Sequence, residues 1–253
     1  MASSFYETDK ALSEYLLFHY GLTKELVPPI LREIGALDFP VRCVNECLDQ
    51  SRIPPNARAL DLGCAVGRAT FELARLCKNV IGIDFSQSFI TASEYLKAHG
   101  SIPFECVEEG ELTLKYRASV PPDIDRTRVI FETGDAQALR SDLGPFDVVL
   151  MANLIDRLRD PRKCLNRLPH LLKCGGQLIL ISPYTWMVEY TPYENWLGGF
   201  TRAGGPVRTL ETIKEILAPD FDLANLKDLP FVIREHARKF QFSIAQASVW
   251  LRK

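Results

Sequence analysis

The stretch 58–85, RALDLGCAVGRATFELARLCKNVIGIDF, decides the fold. RALDL is a short apolar run of strand character, RATFELARLC repeats its apolar residues at helical spacing, and NVIGIDF is a second strand-like run. Together they predict a β-α-β unit, the seed of a parallel sheet. The pattern continues outward. SFITASEYLKAHG (88–100) predicts a helix stopped by Gly100, VIFETGDA (129–136) a third strand ending at Gly134 and Asp135, and FDVVLMANLI (146–155) a fourth. PRKCLNRLPHLLKCGG (161–176) predicts a helix with a glycine stop, and QLILISPY (177–184) a fifth strand. Alternation this regular argues for an α/β fold with a doubly wound, mostly parallel sheet.

The flanks read differently. Residues 8–20 place Leu12, Tyr15, Leu16 and His19 on one helical stripe, with Thr8 a cap and Gly21 a stop. After Pro28 and Pro29, a second helix is expected from near Pro40, burying Val41, Val44 and Leu48. Within the crossover, PFECVEEGELTLKYRASVPPDIDR (103–126) alternates on both sides of Glu109 and Gly110, which predicts an inserted β-hairpin. The tail from Phe221 alternates through Phe240, Phe242 and Ile244 and predicts two closing strands, antiparallel to each other, completing a seven-stranded sheet. We expect one domain over 1–253, with an N-terminal helical cap (1–55), a cofactor-binding core (56–183) whose hairpin spans about 102–121, and an aromatic lid plus closing strands (184–253).

The 253 residues are 47% apolar, enough for a sizeable core. A formal charge of -2 gives no overall attraction for nucleic acid or an acidic membrane surface. No apolar run approaches the roughly 20 residues of a membrane span, and MASSFYETDK lacks the basic and apolar regions of a secretory signal, so a cytoplasmic location and no membrane partner are expected. Seven cysteines without a C-x-x-C pair predict buried thiols in a reducing compartment. Cys43 and Cys47 can share a helix face, but no neighbouring His or second cysteine pair completes a zinc set, and no metal is expected.

The chemistry starts at D-x-G-x-x-x-G, with Asp61, Gly63 and Gly67 as its fixed points and Ala65 between the glycines. A dinucleotide fingerprint, G-x-G-x-x-G, sets its glycines closer so that a pyrophosphate can rest on the helix N-terminus. This spacing lacks that feature. An acid before the first glycine suits a ligand end that carries an ammonium as well as a carboxylate, as the methionine portion of S-adenosyl-L-methionine does. Alone, the motif is equally a ligand-free strand-helix turn. Asp84 closes the second strand 23 positions later, where a carboxylate can accept both ribose hydroxyls, with Phe85 against the adenine and Ser86 beside it. Gly134, Asp135 and Ala136 fall where the adenine edge would be held. Asn153 and Leu154 close the fourth strand, bordering the space a methyl acceptor must enter. All of these sit on one carboxyl edge of the sheet.

With these residues in order, the core from about Arg58 to Tyr184 resembles the Rossmann-like S-adenosyl-L-methionine-dependent methyltransferases. More narrowly, YETDKALSEYLLFHYG, ALDLGCAVGRATFELAR and the aromatic stretch after Pro183 resemble the methyltransferase domain of ovothiol synthases. That resemblance implies methylation of an imidazole nitrogen of 5-thiohistidine to give ovothiol A, with S-adenosyl-L-homocysteine as the second product. It also implies a functional partner, an iron-dependent sulfoxide synthase, whose His-rich metal motif has no match among the four histidines here.

In-line displacement at a sulfonium needs alignment more than a strong base, because a neutral imidazole nitrogen already carries a lone pair. Substrate-positioning candidates are therefore aromatic and polar. Tyr184, Trp186, Tyr190, Tyr193, Trp196 and Phe200 crowd the glycine-flanked loop after the fifth strand and suit a lid; the plainer reading is a loop pinned by its own aromatics. Glu189 and Glu194 can meet an amino group or ring N–H, though each singly suits a solvated loop charge. Tyr15 and His19 share one face of the N-terminal helix that is expected to border the acceptor, with Tyr20 at its end and Tyr6 ahead of it; the plainer reading of His19 is a packed or capped histidine. Arg42, Arg157, Arg202 and Arg238 are the cations available for a substrate carboxylate, and Arg42 can instead serve the cofactor's carboxylate. Rival readings are a methyltransferase acting on another thiol, amine or carboxylate, a NAD-dependent oxidoreductase, and a non-catalytic cofactor-binding subunit.

Overall fold

A computed structural model describes residues 3–21 and 26–253. The N-terminal segment contains α1 (Ser3–Tyr6), α2 (Asp9–Leu16), α3 (Pro29–Glu33) and α4 (Phe39–Asn45). The core and its insertion follow as β1 (Arg58–Leu62), α5 (Arg68–Leu73), β2 (Asn79–Asp84), α6 (Gln87–His99), β3 (Ser101–Glu109), β4 (Leu112–Ser119), β5 (Val129–Thr133), β6 (Phe146–Ala152), α7 (Pro161–Leu171) and β7 (Leu172–Ser182). The chain closes with β8 (Phe200–Arg202), β9 (Gly205–Val207), α8 (Thr209–Leu217), β10 (Phe221–His236) and β11 (Lys239–Arg252).

Seven strands form one sheet in the order β10-β11-β7-β6-β1-β2-β5. β5, β2, β1, β6 and β7 are parallel, whereas β11 runs antiparallel to both β7 and β10. The chain order reverses between β1 and β6, which opens a crevice at the carboxyl ends of those strands. Alternate residues of each central strand serve opposite faces. Leu60, Leu62, Ile81, Ile83, Val149, Met151, Leu178 and Leu180 pack on the α7/α8 side, while Ala59, Val80, Val148, Leu150, Ile179 and Ile181 pack beneath the N-terminal helices, α5 and α6. The hairpin β3-β4 stands apart as its own two-stranded sheet.

Several elements differ from the sequence expectation. The helix expected through Cys77 stops at Leu73, where the Ala74 N–H is shared among the carbonyls of Thr70, Phe71 and Glu72 and the last turn tightens. The pair Gly175–Gly176 does not end α7. The helix ends at Leu171, and β7 starts at Leu172, so both glycines lie in a strand. Gly176 is needed there, because an added Cβ would come within 2.9 Å of the Lys173 carbonyl. The helix expected over 8–20 ends at Leu16, and Leu17–Gly21 continues as a single π-turn. Val41 is only half-buried; Cys43 and Val44 carry that helix into the core, and Leu48 is buried in the turn after it. Six cysteines are buried, Cys174 is exposed, and no disulfide forms. No helix among the described residues is long and apolar enough to cross a membrane.

Candidate functional site

A cavity of about 500 Å³ opens at the carboxyl ends of β1, β2, β5 and β6, a size suited to small-molecule ligands. Its floor is the turn after β1. Gly63 (φ 74°) and Ala65 (φ 47°) take left-handed conformations, and the N–H groups of Gly63 and Cys64 donate to the Ile83 carbonyl, which turns the backbone edge toward the cavity. Asp61 is buried, and its Oδ2 accepts from Thr70 Oγ1 at 2.7 Å. Burial raises the Asp61 carboxyl to about 7; the Thr70 hydroxyl opposes that rise and the nearby Asp84 charge adds to it. A carboxyl held this way has a stored preference for a cation.

Asp84, at the end of β2, is fixed from both sides: Ala65 N–H donates to Oδ2 and Ser86 N–H to Oδ1, each at 2.9 Å. Burial nevertheless pushes its carboxyl above the usual range. Phe85 beside it stays 60% exposed at the cavity rim. Gly134, Asp135 and Ala136 line the next wall, where Asp135 Oδ1 accepts from the Gln137 backbone N–H (2.8 Å) and Nε2 (3.0 Å). Asn153 takes φ 53° and its N–H donates to the Ile181 carbonyl, so β6 ends with the side chain turned off the strand. Its Oδ1 is buried without a partner among the described residues, and Leu154 lies beside it on the same wall.

The opposite wall is aromatic. Tyr6, Tyr15, His19, Phe89 and Tyr190 line it, with Tyr15 and Phe89 at 4.8 Å between ring centroids, Tyr6 and Tyr15 at 6.0 Å, and Tyr6 and Tyr190 at 6.2 Å. Burial raises the Tyr15 phenol to about 12 and lifts Tyr6 as well, so both stay neutral. Burial, with the Arg68 charge added, lowers His19 to about 3, and its Nδ1 has no partner among the described residues.

Thirteen positions were expected at the cofactor, and ten of them line this cavity: Asp61, Gly63, Ala65, Asp84, Phe85, Gly134, Asp135, Ala136, Asn153 and Leu154. Arg42, Gly67 and Ser86 do not. Arg42 pairs with Glu46 at 2.6 Å and donates to the Pro230 carbonyl. Gly67 caps α5 at φ 80°, where a Cβ would come within 2.5 Å of the Phe131 ring. Ser86 caps α6 by accepting from Phe89 N–H while its hydroxyl donates to the Tyr6 carbonyl. These residues hold the walls without facing the space between them.

On the acceptor side Tyr15, His19, Asn153, Glu189 and Tyr190 line the cavity, and Tyr20, Tyr184, Trp186 and Arg238 do not. The Tyr20 hydroxyl donates to the Val66 carbonyl, and that of Tyr184 to Gln246 Oε1. Trp186 donates to Thr209 Oγ1 and stacks with Trp196, so most of the expected lid is a loop held by its own aromatics. Arg238 is exposed in the turn between β10 and β11. Sequence reasoning passed over Phe18, Phe39, Phe89, Gln137 and Ile233, which also line the cavity. Phe89 carried the one available signal, three residues beyond the Ser86 cap on the inward face of α6.

Residues 60–178 match the family model described as a methyltransferase domain. The core is similar to methyltransferase domains, and in sequence and fold it resembles S-adenosyl-L-methionine-dependent methyltransferases. Curated proteins similar to the core include ubiquinone biosynthesis O-methyltransferases from Xylella fastidiosa (28% identical over 51% of this chain and 43% of that protein) and Bradyrhizobium diazoefficiens (30% over 49% and 38%). The match spans less than half the length of either. Among solved structures, the N-methyltransferase NodS from Bradyrhizobium japonicum, in complex with S-adenosyl-L-homocysteine, shares 16% identity over 97% of this chain and 98% of that one, with TM-score 0.54. A methyltransferase from Methanosarcina mazei shares 17% over 90% and 98%, with TM-score 0.51. These structural likenesses are likenesses of fold. The residues present suit S-adenosyl-L-methionine: a cation-seeking buried Asp61, a fixed carboxylate at Asp84 and an Asn153 amide oxygen without a partner among the described residues face one space.

Proposed function

We propose that the protein is an N-methyltransferase for a small imidazole acceptor, 5-thiohistidine, giving ovothiol A. The observation that carries this reading is the aromatic wall of Tyr6, Tyr15, Phe89 and Tyr190 facing the turn after β1 across a single cavity. In this reading Asp61 takes the ammonium of the methionine end, Asp84 the ribose hydroxyls, and Asp135 with its neighbours the adenine edge. Bound S-adenosyl-L-methionine supplies an electrophilic methyl group on a sulfonium. The lone pair of the ring nitrogen forms the new C–N bond as the C–S bond breaks and its electrons stay on sulfur; the methylated ring then loses a proton to solvent. The chain's residues hold the ring in line and exclude water, which is where most of the acceleration is available. The 5-thiohistidine would be supplied by a sulfoxide synthase on a separate chain or domain.

The relatives named for O-methylation in ubiquinone biosynthesis favour a second reading, an oxygen acceptor. A hydroxyl acceptor must give up its proton as it reacts. His19, lowered to about 3, is a poor base for that task, whereas an imidazole nitrogen needs none. Incubation with methyl-labelled cofactor and 5-thiohistidine separates the two. Label is expected in N-methylated thiohistidine, and absence of transfer at saturating acceptor rejects the assignment.

A further inference from the structure

We infer that Arg157 is the anchor for an acidic group on the acceptor, so that the acceptor class is an aromatic carboxylate and not a neutral ring. This inference rests on the functional reading above for the cavity, but it concerns a different feature of the acceptor. Arg157 lies just beyond β6, in the single helical turn Ile155–Arg157 that follows Asn153 and Leu154. Its side chain lines the cavity and keeps 25% of its surface exposed.

Among the described residues, one nitrogen of the guanidinium carries every hydrogen bond to the protein. Nη1 donates to Asp156 Oδ2 at 3.0 Å, to the Asp156 carbonyl at 2.9 Å and to the Thr185 carbonyl at 2.9 Å. Nε and Nη2 have no hydrogen-bond partner among the described residues. Asp156 is itself buried and receives the Thr185 N–H, so the guanidinium is clamped along one side only. The guanidinium also sits over the Tyr190 ring, 4.8 Å from its centroid, which fixes the plane of the fork at the aromatic wall. A planar, clamped guanidinium with two donor nitrogens left over is the geometry that takes a carboxylate in a bidentate pair.

The other cations fail by position. Arg159 lines the cavity only at its exposed rim, and His19 is neutral at physiological pH. Acids lie elsewhere on the wall: Asp61, Asp84 and Asp135 at the turn and strand ends, and Glu189 exposed at the rim. An acceptor carboxylate is therefore directed toward Arg157, with its ring against Tyr6, Tyr15 and Tyr190. The Asp156 carboxylate offsets part of the Arg157 charge, so the selectivity comes chiefly from the directed hydrogen bonds.

The test uses the full chain loaded with S-adenosyl-L-homocysteine, titrated with L-histidine, 5-thiohistidine and their decarboxylated counterparts, histamine and 5-thiohistamine. The carboxylates are expected to bind about 10- to 100-fold more tightly than the amines. Arg157→Gln is expected to abolish that preference, and Arg157→Lys to retain part of it. In turnover the same variants should raise KM for the carboxylate acceptor with a smaller change in kcat. S-adenosyl-L-homocysteine affinity and the melting temperature show that each variant is folded, and Arg157→Lys carries the test where the Gln variant is not. No carboxylate preference in the wild type, a preference that survives in Arg157→Gln, or no binding of either carboxylate overturns the inference. Methyl transfer failing on 5-thiohistidine while the Arg157-dependent preference persists rejects the acceptor assignment alone.

Discussion

At the residue scale, Asp61 makes a pH prediction. Its carboxyl sits at about 7 in the folded, unliganded protein because it is buried, and an ammonium ligand requires it ionised. Affinity for S-adenosyl-L-homocysteine should therefore strengthen between pH 6 and 8, by up to about tenfold per unit on the acid side, with a proton released on binding. Asp61→Asn should flatten the profile; calorimetry in buffers of different ionisation enthalpy reads both, and a flat wild-type profile would falsify this role. In the unliganded protein the linkage has the opposite consequence from that of a paired carboxylate. Between about 4 and 7 the folded chain holds a proton that the unfolded chain has lost, so this group lowers stability as pH rises through that window. Asp84 is expected to matter more simply. Asp84→Ala should weaken cofactor binding by about 2 to 4 kcal/mol through loss of a charged acceptor. It should also lower the melting temperature, because the Ala65 and Ser86 N–H groups lose their partner. Unchanged affinity in a folded variant would remove Asp84 from the ribose site.

At the element scale, legibility followed the locality of the signal. The strand ends of β1, β2, β5 and β6 could be read because each joins an apolar run to a polar or glycine stop, and parallel topology then brings those stops to one edge. Gly67 and Ser86 lie off the cavity lining, and motif spacing cannot tell a residue facing a ligand from one that closes the turn beside it. The Phe131 ring lies against Gly67, and Ser86 caps α6. The aromatic loop after β7 misled in the same way: sequence shows a crowd of rings but not their partners. Trp186 spends its N–H on Thr209 Oγ1 at the start of α8, a helix absent from the sequence reading, while Tyr190 faces the cavity. Trp186→Phe should therefore lower stability by about 1 kcal/mol and leave acceptor KM unchanged. A large rise in KM without loss of stability would restore Trp186 to the acceptor wall.

At the scale of the whole molecule, the two sides of the cavity draw on different stretches of the chain. Asp61, Gly63, Ala65, Asp84 and Asp135 all fall within the matched stretch 60–178. Tyr6, Tyr15, His19, Glu189 and Tyr190 fall outside it, on the segment before the sheet and the loop after β7. The N-terminal segment is fastened to the core at several points: Glu7 accepts from the Gln87 and Ser88 N–H groups at the start of α6, the Tyr6 carbonyl accepts from Ser86, Tyr20 donates to the Val66 carbonyl and Arg42 to the Pro230 carbonyl. The matched stretch thus leaves most of the aromatic wall unspecified, although Phe89, Asn153 and Arg157 belong to it. Exchange of the flanking segments could re-aim an unchanged strand edge at an acceptor of another shape.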